Sequence, residues 1–509
     1  MTIAATNTKI EPSTFKKVLL FLALSIATFM FVLDYSIANV AIPYIAGDLS
    51  VSTDEGVYVI TAFAVGNAIG LAMTGWLTKR FGDVKILCIS IFLFTFFSWI
   101  CGISMDLQML VISRFVQGFV AGPMVPLSQS MIVSNAKPEC RTRDLALWST
   151  VVIVAPVLGP VLGGYISEWY SWPWIFYINI PIGLGSTLAI WLLSKHKQSA
   201  IQKAPFDIVG FFLLAAGVTC LQILLDKGQQ WDWMNSNTIR VLLIVSIISF
   251  TLLIIYELLH ETPFLELKLF KIPSYTLSII CLMVSYGVYF GSVVIVPLWL
   301  QEYMDYDATW AGIAVCSLGI APAIFSFLTP RIIAKIGNLP TLMICFTIFG
   351  SACFFTTFYF TPQVDIQVVS FSRFFFGFAL VLYVPALFAM SILGIKTEKL
   401  PAAMGIFHFI RSMLGGVGTS IFVTLFQRRT IFHHERIGST LTEYNPLLPD
   451  MQLPLLNRAL DVQAALLSLN DAFYLMGWLF MGLVALLAFW RFWRGKPPTA
   501  APVAQPSGD

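Results

Sequence analysis

Apolar windows of about twenty residues recur along the whole chain between short polar breaks, and about twenty helical residues cross the hydrocarbon core of a bilayer. The pattern predicts spans at 17–38, 56–77, 86–104, 108–133, 145–167, 174–194, 207–225, 238–259, 276–300, 309–333, 340–360, 366–393, 402–426 and 471–493. The expected architecture is therefore an all-α membrane protein with about fourteen transmembrane helices. Residues 1–17 are polar and end in Lys16 and Lys17, before an apolar run from Val18 to Leu33. That run is long and lacks a small-x-small cleavage site, so it reads as an uncleaved first span rather than a signal peptide.

Charge orients the spans. Lysines and arginines fall on alternate loops, beginning with Lys9, Lys16 and Lys17, then Lys79, Arg80 and Lys85, and ending with Arg491, Arg494 and Lys496. The intervening short loops carry almost none, Lys227 being the main exception. By the positive-inside rule both termini are expected in the cytoplasm, and an even number of spans agrees. The longer segment Gln427–Asn470, with Arg428, Arg429, Arg436 and Arg458, is expected as an outer loop; long loops escape the rule more readily.

The chain also repeats itself. SRFVQGF at Ser113–Phe119 returns as SRFFFGF at Ser372–Phe378, and TGWLTKRFGD at Thr74–Asp83 has a weaker echo in TPRIIAKIGN at Thr329–Asn338. Two related halves with a surplus pair of spans between them, at 207–225 and 238–259, fit a rocking-bundle transporter with a midplane site. Composition agrees: 11% charged residues and a mean hydropathy of +0.82 exclude an ordinary soluble domain, which carries roughly 25% charge. The eight cysteines show no CxxC spacing, so neither a disulfide framework nor a zinc site is indicated.

Against this background the polar residues inside apolar runs carry the chemistry. Arg114 and Gln117 lie well within a span, and with Gly118 and Gly122 they follow the three- and four-residue spacing of one helix side. An arginine at that depth costs at least ~2.5–3.5 kcal/mol, so it is expected to face the bundle interior with a partner. Asp34, about ~25 Å along the first span, reaches a compatible depth. It is the only carboxylate clearly within the interior of a predicted span, and it reads either as a proton-carrying partner of Arg114 or as a solvated helix end. His408 and Arg411 are neighbours three apart on another helix. His408 either shares proton handling or packs; Arg411 is suited to an anionic group on a substrate or to a carboxylate elsewhere. Gln117, Tyr286, Tyr289 and Arg411 are the candidates for the wall of a substrate cavity.

Two glycine- and proline-rich stretches suggest movement. Gly75, Arg80, Gly82 and Asp83 form a tight charged loop in which Arg80 and Asp83 are suited to an ionic latch. Pro156, Gly159, Pro160, Gly163 and Gly164 predict a kinked, closely packed helix serving as hinge or seal. There is no GxxxxGK[ST] loop, HExxH or GxSxG elbow, so neither a nucleotide site nor hydrolytic chemistry is expected. No cofactor is expected, and an ion gradient remains as the energy source.

These stretches together resemble the major facilitator superfamily, specifically its fourteen-span drug–proton antiporters of the EmrB/QacA type, on the EmrB side. LDYSIANVAIP, TGWLTKRFGDVK, RFVQGFVAGP, LGPVLGGYIS, WPWIFYINIPIG and RSMLGGVGTS follow in family order from about Phe15 to Arg494. The resemblance implies a major facilitator fold: a cytoplasmic tail (1–16), a six-helix bundle (17–194), two additional spans (195–275), a second six-helix bundle (276–493, with a periplasmic loop at 427–470) and a cytoplasmic tail (494–509). It implies proton coupling through Arg114, a cytoplasmic gate at Gly75, Arg80, Gly82 and Asp83, and an antiporter-type helix at Gly159, Pro160, Gly163 and Gly164. It further implies multidrug efflux of hydrophobic or amphipathic compounds across a bacterial inner membrane, with a periplasmic adaptor (EmrA-like) and an outer-membrane channel (TolC-like). The span holding His408 has no carboxylate, a departure from QacA-like members that favours neutral or anionic cargo. A dedicated exporter of a metabolite, fatty acid or siderophore is the alternative within the class. A lipid-modifying transferase is the alternative outside it, for which no clustered catalytic set is visible. No nucleic-acid partner is expected.

Overall fold

A computed structural model describes residues 14–137, 140–194, 205–260, 265–306, 308–441 and 453–494. The helices are α1 (Thr14–Asp48), α2 (Tyr58–Phe81), α3 (Asp83–Gly102), α4 (Leu107–Ala121), α5 (Met124–Asn135), α6 (Arg141–Trp169), α7 (Asn179–Ser194), α8 (Ile208–Lys227) and α9 (Asn237–Leu259). They continue with α10 (Pro273–Tyr303), α11 (Ala308–Phe325), α12 (Thr329–Ile336), α13 (Asn338–Tyr359), α14 (Ile366–Ser391), α15 (Leu400–Gly438) and α16 (Leu453–Arg494). The remaining elements among the described residues are short helical turns.

Each of the fourteen expected spans coincides with one helix or one helix pair. Among the described residues twelve helical segments, α4 and α5 counting as one, are long and apolar enough to cross a membrane. The pair α11 and α12, bent by 70° at its break, makes a thirteenth. Pro330 stands at the first turn of α12, where its missing N–H costs nothing, so the chain restarts a helix there rather than continuing one. The fifth expected span, 145–167, coincides with α6, which is 29 residues long.

The described chain falls into two compact units. One comprises the described residues up to Gly291 together with Pro322–Phe327 and Ser391–Thr424; the other comprises Ser292–Ala321, Leu328–Met390 and the described residues from Leu425 onward. In the first unit α1 packs along α6 and α7, α2 along α4, and α3 along α4 and α7. In α2, 83% of the apolar window is buried, against 28% in α8 and 22% in α9, so the surplus pair is peripheral and presents apolar faces outward. In the second unit α13 packs along α16.

The repeat is written into the backbone. Gly82 ends α2 at φ 86° and Gly337 ends α12 at φ 93°, and each N–H returns to the carbonyl four residues earlier, Thr78 and Ile333 respectively. Only glycine takes such angles without strain, so both turns are glycine in both copies of the motif. The SRFxxGF copies agree as well: a Cβ at Gly118 would fall on the Phe63 carbonyl oxygen, and one at Gly377 on that of Leu318.

The outer loop expected at 427–470 is corrected in one respect. Its first part, to Gly438, continues α15, and from Leu453 its last part belongs to α16. Residues 442–452 lie outside the described residues, as do Lys9, Lys195, Lys197, Lys203 and Lys496 of the charge series.

Candidate functional site

The polar centre of the first unit is a closed set of hydrogen bonds around Asp34. Arg114 on α4 donates from Nη1 to Asp34 Oδ2 at 2.7 Å and to Gln117 Oε1 at 2.8 Å. Asn179, at the start of α7, donates from Nδ2 to Asp34 Oδ1 at 2.7 Å and to Ser98 Oγ at 3.0 Å. The Ser98 hydroxyl passes on to the Phe176 carbonyl at 2.9 Å. The guanidinium lies over the rings of Phe63, 4.1 Å from the centroid, and Phe176 at 5.3 Å. Asp34, Arg114 and Gln117 are all essentially inaccessible to solvent.

The local sequence builds this arrangement. Gly66 and Gly70 on α2 face Gly118 and Gly122 on α4, and a Cβ at any of the four would strike backbone of the opposing helix. That contact brings Phe63 under the guanidinium. The spacing of Arg114 and Gln117 then allows one arginine nitrogen to serve both oxygens. Arg114 keeps Nε and Nη2 without a hydrogen-bond partner in the protein. A cation held to one carboxylate by a single nitrogen is poised to exchange partners when that carboxylate changes charge.

Gln117, expected on a cavity wall, thus belongs to this buried centre. Asn179 and Ser98 were not singled out in the sequence. The signal for Asn179 was an amide in YINIPIG at the edge of an apolar run, where it reads as an interfacial residue.

α6 locks onto α1 beside this centre. Proline at 160 supplies no N–H to the Pro156 carbonyl four residues back, and Ser36 Oγ donates to that carbonyl at 3.0 Å instead. A Cβ at Gly159 would meet Ser36, and one at Gly163 the Ile37 carbonyl, whereas Gly164 has room. The close packing expected of this helix is therefore present at Gly159 and Gly163 and is tied to the helix bearing Asp34.

His408 is buried, with Nε2 2.8 Å from Gln129 Oε1 on α5. It is not brought into hydrogen-bond contact with Asp34 or Arg114. Arg411 lies over the Tyr286 ring at 5.3 Å, and Tyr286 packs against Phe290 at 4.8 Å and Tyr289 at 6.2 Å. The structure thus brings Arg411 onto Tyr286, and Tyr286 onto Tyr289. Asp34 is not the only carboxylate within a helical span: Asp226, on the last turn of α8, is partly buried and accepts from Thr61 and Gln222.

The loop latch is not closed in this conformation. Arg80 is exposed and forms no ion pair with Asp83, which accepts the N–H of Val84 at the start of α3. Gly75 instead lets the start of α15 approach, its site for a Cβ being 2.9 Å from that of Ala402. The ionic contact there is made by the neighbouring Lys79, which pairs with Glu266 while Lys399 reaches the other carboxylate oxygen at 3.0 Å. Burial opposes ionisation of Glu266, but hydrogen bonds and charge from Lys79 and Lys399 outweigh it and hold the carboxyl below its ordinary range.

The contribution of this cluster is therefore complete above the ordinary glutamate pKa, roughly 4.3, and is lost as pH falls through the lowered folded value. Both lysines are more than a third exposed or close to it, so the expected magnitude is about 1 kcal/mol or less. Glu266→Gln should flatten the acid limb of a melting-temperature profile in detergent while leaving the value near neutrality slightly lowered.

Helical apolar spans throughout the described residues, with an internally repeated motif and a buried acid–base centre, are the features of a multi-pass membrane transporter. The Major Facilitator Superfamily profile matches residues 24–422, and the chain belongs to that superfamily. It is 39% identical to the multidrug export protein EmrB of Haemophilus influenzae over 494 residues, covering 94% of this chain and 96% of that protein. It is 38% identical to EmrB of Escherichia coli K12 (95% and 96% covered) and 37% identical to the fatty acid resistance protein FarB of Neisseria gonorrhoeae (94% and 96%). The fold matches that of the human organic anion transporter MFSD10 with a TM-score of 0.59 at 12% identity, over 94% of this chain and 99% of that one.

Proposed function

We propose that this transporter expels hydrophobic and amphipathic compounds across the inner membrane in exchange for protons. The observation that carries the reading is the Asp34–Arg114–Asn179 centre: a carboxylate and a guanidinium, both buried, in the span region of a transporter. A proton arriving at Asp34 cancels the ion pair. Asn179 can still bond the neutral acid, and Arg114 stays on Gln117 and the Phe63 ring. The protonated and ionised states thus favour different placements of α1 against α4, and a cargo that prefers one placement exchanges against the proton. No cofactor enters; the energy comes from the proton gradient. The sequence similarity to two EmrB proteins supports the multidrug reading.

In this reading the chain crosses the membrane fourteen times with both termini in the cytoplasm. α15 and α16, of 39 and 42 residues, are about 58 and 63 Å long, roughly twice the hydrocarbon thickness. The two helices are tied together away from their ends by Asp471, in the interior of α16, which takes Arg429 Nε at 2.7 Å and His433 Nε2 at 2.7 Å. This helical projection is the proposed contact for a periplasmic adaptor, which would pass cargo on to an outer-membrane channel.

A second reading, export of fatty acids or similar anionic amphiphiles, is favoured by the similarity to FarB and by Arg411 over an aromatic floor. Proton release from purified protein on adding hydrophobic compounds tests the coupling. Wild type is expected to release about one proton per bound molecule, and Asp34→Asn none while still binding. Unchanged release from Asp34→Asn would remove Asp34 from the coupling site.

A further inference from the structure

The peripheral pair α8–α9 looks like a spacer, yet α8 carries a carboxylate into the first unit. Asp226 Oδ2 accepts the Thr61 hydroxyl of α2, and Oδ1 accepts Gln222 Nε2 at 3.0 Å. Both donors are neutral. The adjacent Lys227 acts on Asp226 through its charge but directs its ammonium to Gln230 at 2.8 Å and the Tyr58 ring at 4.6 Å. Among the described residues Asp226 forms no ion pair, and neither does Arg411 on α15.

An acid and a base thus both stand without an ion pair among the described residues, on helices of one unit. Aromatic side chains surround the base: Tyr286 carries the Arg411 guanidinium at 5.3 Å and packs against Tyr289 at 6.2 Å. The helices also meet at one level, where a Cβ at Gly416, five residues beyond Arg411, would lie 3.8 Å from both Gln222 and Leu225 of α8. A Cβ at Gly415 would lie 3.6 Å from Tyr286.

Charges at membrane depth are costly unless paired, and a transporter that leaves one of each sign unpaired has left them for its cargo. Building on the reading of the chain as an exporter, we propose that Asp226 is a specificity-determining residue that receives the positively charged head of cationic cargo. Arg411 is the opposite pole, and the tyrosines beside it hold the flat apolar body. The aromatic faces suit an organic cation, which ring quadrupoles attract. The accessory pair is then part of the recognition site, and the chain accepts both cationic and anionic amphiphiles by turning them end for end.

The test is equilibrium binding to the full chain in lipid nanodiscs at constant pH, using two dyes that share a xanthene body, cationic rhodamine 6G and anionic fluorescein. Asp226→Asn should weaken rhodamine 6G at least tenfold and leave fluorescein within twofold, Arg411→Gln should do the reverse, and Asp226→Glu should restore most rhodamine 6G binding. Equal weakening of both dyes by Asp226→Asn, or of neither, overturns the assignment, as does a wild type that binds neither dye. Normal rhodamine 6G binding combined with lost proton release would make Asp226 a proton carrier, and overturns it too. The measurement involves no proton gradient, so failure of Asp34 as the coupling group leaves its outcome unaffected.

Discussion

Arg114→Met is expected to cost about 3–5 kcal/mol of stability, the range for removing one partner from a buried ion pair, and to abolish active export. The methionine fills much of the arginine's volume, so the loss is electrostatic. Asp34 would keep the Asn179 amide but no cation, and Gln117 would lose the nitrogen 2.8 Å from its carbonyl. Asp34→Asn should cost a comparable amount, because arginine does not shed its proton and the Arg114 cation is left buried with Gln117 and the Phe63 ring beside it. The double variant Asp34→Asn/Arg114→Met should recover part of the stability lost in Arg114→Met while remaining inactive. Melting in detergent and gradient-driven dye efflux from proteoliposomes separate the two quantities. Additive losses in the double variant would contradict a direct coupling between the residues.

The two copies of the repeated motif make that comparison sharper. Arg373 holds the position of Arg114 in the second copy and is as deeply buried, over the rings of Phe376 and Phe473 at 4.3 and 5.1 Å. Where Arg114 is followed by Gln117, Arg373 is followed by Phe376, so its guanidinium meets a ring where Arg114 meets an amide. α10, the first helix after the surplus pair, has no carboxylate before Glu302 near its end, whereas α1 carries Asp34. The duplicated arginine is thus common to both copies, and the acid facing it from the first helix belongs to one.

Much of this was legible in the residues. The spans followed from windows of apolar residues, because nothing else in a protein needs twenty of them in a row. Cost and depth, two quantities that sequence position carries, left the pairing of Asp34 with Arg114 as one of two readings, and the hydrogen bond between them decides for it. What was not legible depends on helices distant in the chain. Asn179 reaches Asp34 from 145 residues away, and Ser36 reaches Pro156 from 120. Asp226 lies one residue beyond the expected span at 207–225 and beside a lysine, and the Thr61 hydroxyl that bonds it comes from 165 residues away. The outward continuations of α15 and α16 were invisible for another reason: outside the hydrocarbon a helix no longer needs apolar residues all round. The Arg80–Asp83 pair is not made in this conformation, because adjacency in a loop does not fix direction. Asp83 turned to its own helix start, and Lys79 found Glu266 from a distant segment.

The second large effect concerns packing. Gly118→Ala is expected to destabilise the protein by about 3 kcal/mol or more, at the upper end for overpacking a core. The added methyl meets the Phe63 carbonyl, and backbone, unlike a side chain, cannot swing aside. Separating α2 from α4 would also move Phe63 from beneath Arg114, so export should fall further than stability alone accounts for. Gly377→Ala meets the Leu318 carbonyl in the same way and should destabilise comparably, with no direct effect on the Asp34 centre. Gly185 on α7 is the control: nothing lies within 4 Å of the site for its Cβ. Alanine there should stabilise by up to about 1 kcal/mol through helix propensity. Thermal melts of the three variants, with proton release measured on those that fold, test this ordering. A Gly118→Ala protein as stable and as active as wild type would mean that α2 and α4 do not pack backbone to backbone.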